Sequence, residues 1–181
     1  MQRLESLKAS IPDYAKDVRL NLDSVLQRSS LSREDALAVA LAAAYASRSS
    51  ELAAALSEAL PPVDAAAALS AAALMGMNNV WYPYVDMAAD SELKTQPAQL
   101  RMQAYATHGG VERRRFEMFA LAASIVGKCR HCVQSHYALL KQEGLTAVQL
   151  RDIGRIAAVV SAAAQVLQVA VPQPQPQPAA A

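Results

Sequence analysis

ALAASIVGKCRHCVQSHYALLKQEG, residues 120–144, reads as helix, break, helix. The apolar run from residue 120 pauses at Gly127, and a second run begins near Cys129 and reaches Glu143, where Gly144 is placed to close it in a left-handed cap. On a helix starting near Cys129, positions 129, 132 and 136 fall at i, i+3 and i+7. Two thiols and an imidazole therefore share one face, while His131 points away. Cα atoms one turn apart lie within the separation a disulfide tolerates, so a reversible dithiol is geometrically available. The pair also sits in a first turn, where unsatisfied N–H groups and the helix dipole favour an anion, and Lys128 and Arg130 add positive charge. A thiol at its reference pKa is about 3% ionised at pH 7; lowering that pKa by two units makes it about 75%.

Working outward, His136 can take or return a proton one turn after Cys132. Glu117 is the single acid in FEMFALAAS, residues 116–124, and an acid in such an apolar stretch needs a partner; orienting His136 would supply one. Cys129, Cys132, His131, His136 and Glu117 could nominally supply four zinc ligands, but the chain has no second Cys-X-X-Cys and a metal does not account for the shared helical face. No metal is expected. A thioredoxin-type motif would follow a strand in a βαβ unit, and no strand is legible. Inert buried cysteines are disfavoured by Lys128, Arg130 and His131 around them. The pattern describes a helical redox site.

A partial copy lies 80 residues upstream: ALAAAYASRSSEL at 40–52 echoes ALAASIVGKCRHC at 120–132. The alignment sets Ser49 opposite Cys129, Leu52 opposite Cys132 and Leu56 opposite His136, and predicts a duplicated helical hairpin that carries its chemistry in one copy. The remaining periodicity is helical. Helix is expected from about 12 to 27, with Tyr14, Val18, Leu22 and Val25 on one face. Ser32 and Asp35 should cap a second helix striped by Leu37, Leu41 and Tyr45. A third segment runs from Ser50 to Leu60, and Pro61 and Pro62 separate it from an alanine-rich central helix ending at Asn78–Asn79. Residues 82–110, punctuated by Pro83, Pro97, Gly109 and Gly110, read as a long connection with one short helix. Thr146 and Gln149 open the last helix as a capping box. The expected organisation is one all-α domain over 1–171, followed by a disordered, polyproline-like Pro/Gln tail over 172–181.

Alanine fills 39 of 181 positions, which favours helix because alanine loses no side-chain entropy there. Seventeen basic and sixteen acidic residues, without a long run of one sign, leave no footprint for nucleic acid. The longest apolar runs fall short of the roughly 20 residues of a bilayer span. MQRLESLKAS at the start mixes both charges and carries no apolar signal core, so a cytoplasmic location is expected. Met77, Trp81 and Tyr82 read first as core packing, with an access channel as the second reading. Arg113, Arg114 and Arg115 read as a solvated helix face, and His108 as a loop residue.

These residues resemble the alkyl hydroperoxide reductase D-type (AhpD) family of the carboxymuconolactone decarboxylase-like superfamily. The resemblance rests on IPDYAKDVRLNL (11–22), AALMGMNNVWY (72–82), LRM (100–102) and, most specifically, FEMFALAASIVGKCRHCVQSH (116–136). It implies an all-helical fold, a homotrimer, and reduction of alkyl hydroperoxides by the dithiol. It implies dihydrolipoamide as the reductant, held on a lipoylated acyltransferase served by lipoamide dehydrogenase, and a partner peroxiredoxin, AhpC. By the same analogy Cys132 is the peroxidatic thiol that becomes a sulfenic acid, Cys129 the proton donor that then closes the disulfide, and Glu117, His131 and His136 complete the site. The stretch around Tyr84 and Ser91 to Gln99 departs from the family pattern, as does the Pro/Gln tail. A general protein disulfide oxidoreductase and a decarboxylase-like enzyme stand as alternatives, the latter normally without a dithiol; a non-enzymatic trimeric scaffold is a third.

Overall fold

Four alanine-rich helices form the centre of the molecule. The computed structural model describes residues 2–169, and its order is α1 (Gln2–Ala9), a 3₁₀ turn (Asp13–Ala15), α2 (Lys16–Gln27), α3 (Arg33–Ala46), α4 (Ser50–Ser57), α5 (Pro62–Ala88), α6 (Ser91–Thr95), α7 (Ala104–His108), α8 (Arg113–Val126), α9 (Arg130–Gln142) and α10 (Ala147–Gln168). No strand occurs among the described residues. The expected boundary at 171 and the Pro/Gln tail lie outside them.

The core is built from α3, α5, α8 and α10. From Ala36 to Ala44 every residue of α3 is buried, the signature of a helix enclosed on all sides rather than laid on a surface. Alanine makes this possible because small side chains let helix axes approach closely while Phe119, Leu41, Ile153 and Ile156 fill the remaining space.

The duplication seen in the sequence extends over three helices. α3 and α8 span Arg33–Ala46 and Arg113–Val126; α4 and α9 begin at Ser50 and Arg130; α5 and α10 end at Ala88 and Gln168, each pair 80 residues apart. The packing repeats too, α3 lying on α10 as α8 lies on α5. Even the inter-helix turn is reproduced. Arg48 and Lys128 both adopt left-handed backbone, with φ of 59° and 55°. The amides of Ser49 and Cys129 reach back to the carbonyls of Ala44 and Ser124, closing the same Schellman turn.

Several caps form where expected. Ser32 Oγ accepts from the Asp35 amide, Thr146 and Gln149 form the reciprocal box, and Gly144 takes φ +89° after α9. The amino-terminal segment differs: α1 was not foreseen, and the helix expected from residue 12 starts at Lys16 after the 3₁₀ turn, leaving Tyr14 exposed. Leu4 and Lys8 are the residues α1 buries; Lys8 keeps its ammonium paired with Glu5 at 2.7 Å and with Asp23. The larger correction concerns α5. It passes through Asn78 and Asn79 and past Pro83 to Ala88, and two short helices rather than one follow in the connection. Asn79 does not stop the helix because its side chain donates to the Ala123 carbonyl instead of competing for its own backbone.

Two ionic clusters, each built on a buried aspartate, tie the fold together. Arg115 is not solvated like Arg113 and Arg114: its Nε donates to Asp35 at 2.6 Å and its Nη1 to Asp64 at 2.8 Å. Asp152, 2% exposed on α10, accepts from the backbone and hydroxyl of Ser30 and from Arg151 and Arg155. Burial pushes its carboxyl up, but the Ser30 donors and the two guanidinium groups outweigh it and hold the group well below the usual carboxylate range. The stabilisation this confers is full above the unfolded-state pKa of about 3.9 and is lost as pH falls below it. Asp152→Asn should lower stability by about 3 kcal/mol at pH 7, read by urea denaturation, and the gap between wild type and variant should narrow near pH 3.

Candidate active site

The turn after α8 places the cysteines. Because Lys128 takes the left-handed position, Cys129 both closes α8 and caps α9. Its Sγ accepts the Cys132 amide at 3.2 Å, one of the free donors of the first turn. Cys129 and Cys132 are joined by a disulfide with a Cα separation of 5.3 Å. Both are nearly inaccessible, at 0% and 3% exposure. Gly127 has no room for a side chain, since a Cβ there would run into the carboxamide of Asn79.

Glu117 on α8 and His136 on α9 meet as the sequence predicted, with Oε2 2.6 Å from Nδ1. An ionised carboxylate only accepts, so Nδ1 carries the proton and donates it. Burial pushes the Glu117 carboxyl up, yet the hydrogen bond and charge of His136, reinforced by Arg113 at 3.6 Å, leave it below the ordinary glutamate range. The other ring nitrogen, Nε2, faces Met75 Sδ at 3.3 Å. In this disulfide form His136 is therefore parked against a thioether rather than a cysteine sulfur. Sequence reasoning missed Met75: it lies on α5, and only the packing of α5 on α9 reveals it.

His131 points to the opposite side of α9, stacked on Tyr82 with ring centroids 4.3 Å apart. This corrects the core reading of Trp81 and Tyr82. They line an open groove of about 710 Å³ at the start of α9, facing Lys128, Arg130 and His131. Its walls combine aromatic and cationic side chains with one carboxylate, Asp86, and suit a small organic molecule with a polar end. Met77 does not line this groove, and His108 ends α7 on the surface.

Residues 91–172 match the family described as "Carboxymuconolactone decarboxylase family". Over 168 residues the chain is 45% identical to the "Alkyl hydroperoxide reductase AhpD" of Rhodospirillum centenum, covering 91% of this chain and 90% of that one. The proteins of that name from Bradyrhizobium sp. and Methylocella silvestris are each 40% identical over 171 residues, covering 92% of this chain and 94% and 96% of theirs. Similarity at this level runs through both copies of the repeat as well as the cysteine turn, and the chain belongs to the AhpD family.

Proposed function

We propose that this protein is a thiol-dependent peroxidase that reduces alkyl hydroperoxides with the Cys129–Cys132 dithiol. The observation that carries the reading is a closed disulfide in the first turn of α9 on the same helix as a carboxylate-paired imidazole. Relatives named alkyl hydroperoxide reductase AhpD support it.

In the proposed cycle the Cys132 thiolate attacks the distal oxygen of ROOH and breaks the O–O bond. Sulfur is oxidised to the sulfenic acid, and the departing alkoxide takes the thiol proton of Cys129 and leaves as ROH, which turns Cys129 into the thiolate. Cys129, as thiolate, then attacks the Cys132 sulfur; the S–O bond breaks, and hydroxide leaves as water with a proton from the relay. An incoming dithiol reopens the disulfide by two exchanges, returning two electrons and two protons. The net reaction is ROOH plus dithiol to ROH, water and disulfide.

The roles of the two cysteines are taken from the family, and the N-cap bond bears on the reductive half of the cycle. Cys129 Sγ already accepts an N–H, which stabilises its thiolate and makes it the better leaving group when the disulfide is reopened. The reductant's sulfur then meets Cys132. Glu117 and His136 are proposed to move the proton, with the ring swinging from Met75 toward Cys132 once the disulfide opens. His131 and Tyr82 border the groove through which substrate would approach.

Dihydrolipoamide, carried on a lipoylated acyltransferase with lipoamide dehydrogenase, is the proposed reductant, and the peroxiredoxin AhpC a proposed partner. The assembly is proposed to be a homotrimer in the cytoplasm; the outer half of α5 carries Tyr84 and Met87 exposed at 50% and 78%, apolar surface that a second copy would cover. No helix among the described residues is long and apolar enough to cross a membrane.

The test is turnover of cumene hydroperoxide with free dihydrolipoamide, followed by alcohol formation. One equivalent of alcohol per dithiol oxidised is the expected result. A protein that exchanges disulfides with reduced protein substrates but leaves the peroxide untouched would overturn the peroxidase reading in favour of a general disulfide oxidoreductase. Sedimentation velocity checks the trimer.

A further inference from the structure

The first copy of the repeat also keeps a cavity, of about 560 Å³, at its own α3–α4 turn. The position equivalent to Cys129 is Ser49, and the position equivalent to Lys128 is Arg48; both line this cavity. We propose that it is a second ligand site, behind the cysteine turn rather than at the disulfide, that binds a medium-chain monocarboxylate.

Ser49 is the first observation. It is the N-cap of the eight-residue helix α4 and only 4% exposed, yet its hydroxyl makes no capping bond and no other hydrogen bond among the described residues. In the redox copy the matching sulfur takes the amide of the N3 residue; here the N3 amide, that of Leu52, is left without that side-chain acceptor. The hydroxyl of a residue that is itself nearly buried thus lines the cavity without a hydrogen-bond partner, at the start of a helix whose dipole favours an oxyanion.

Charge points the same way. Arg48 is the single cation of the lining, which contains no carboxylate, and Tyr45 adds a phenol. Ser50 and Asn79 are its other polar residues, Gly127 borders it from the back of the cysteine turn, and Ala46, Ala53, Ala72 and Val80 supply apolar wall. One anionic head with a hydrocarbon tail suits a space with a single cation, no carboxylate and a mostly apolar remainder.

Gly76 is an independent observation. It lines the cavity from the middle of α5, and a Cβ placed on it would meet nothing within 4 Å. Glycine inside a helix costs about 1 kcal/mol relative to alanine, so the residue that widens the cavity also weakens the helix. It supplies a clean way to close the space without disturbing a neighbour.

The experiment is isothermal titration calorimetry of the full chain with octanoate, repeated with 1-octanol. Saturable one-to-one binding of octanoate is expected, with the alcohol much weaker. Arg48→Gln should weaken octanoate by about tenfold or more, the loss of one charge-assisted contact, and Gly76→Leu should abolish binding while peroxide turnover persists. Ser49→Ala, which removes only one oxygen, should weaken binding without altering the circular dichroism spectrum. Absence of saturable binding by the wild-type chain overturns the proposal. So does octanol binding as tightly as octanoate, or octanoate affinity that is unchanged in a folded Gly76→Leu or Ser49→Ala protein.

Discussion

A Cys132→Ser protein is expected to lose peroxide turnover down to the uncatalysed background, while a Cys129→Ser protein should accumulate a sulfenic acid on Cys132. The serine hydroxyl is not ionised at neutral pH, so the attack on the O–O bond has no nucleophile; removal of a covalent nucleophile from another enzyme has cost on the order of 10⁶-fold. In Cys129→Ser the first step survives and the second cannot occur. A dimedone-type probe with mass determination reads the result. Labelling confined to Cys129 in Cys132→Ser, with Cys132 never labelled, would reverse the two roles. Helix position alone does not decide between them, because the more N-terminal sulfur feels the dipole more strongly.

Glu117→Gln and His136→Phe should each lower turnover by roughly 10²–10⁴-fold, the usual range for general acid–base help, with the fold retained. The glutamine can still accept from Nδ1, so that variant removes charge while keeping the contact, whereas phenylalanine removes the proton carrier. Residues acting as one relay are non-additive, and the double variant should be little worse than the poorer single one. A double loss equal to the product of the single losses would argue against a relay. The Glu117 carboxyl lies below the ordinary glutamate range, so it stays ionised as pH falls to about 4.3 and only then protonates, taking with it the stability its pairing provides. Any loss of activity at higher pH must come from another group.

The parts of this structure that were legible in the sequence are those set by local chemistry. The Ser32 cap, the Thr146–Gln149 box and the Gly144 stop were readable because each involves residues within one turn. The facing of Glu117 and His136 was readable because both flank the same break, and helical spacing limits where they point. What tertiary packing decides was not. Asn78 and Asn79 carry a stop signal that α5 overrides, since Asn79 spends its carboxamide on α8. Tyr45 stood in a predicted buried stripe but lies 44% exposed, because at the last turn of α3 it borders an open cavity instead of a packed neighbour. Met75 gave no signal at all: a methionine in an alanine-rich helix is ordinary core filler until a histidine from 61 residues away rests on its sulfur.

The ion pair between Asp35 and Arg115 joins two residues that are themselves 80 apart. Each is the other's counterpart in the repeat, so the position sits where the two halves meet face to face. Were the two halves identical, this spot would set guanidinium against guanidinium or carboxylate against carboxylate at contact distance. Opposite signs here make each half the other's required mate. A half-chain carrying Arg115 would repel its own twin and accept the half that carries Asp35, so the division of labour between a redox half and a non-redox half is matched by a recognition code that keeps them paired.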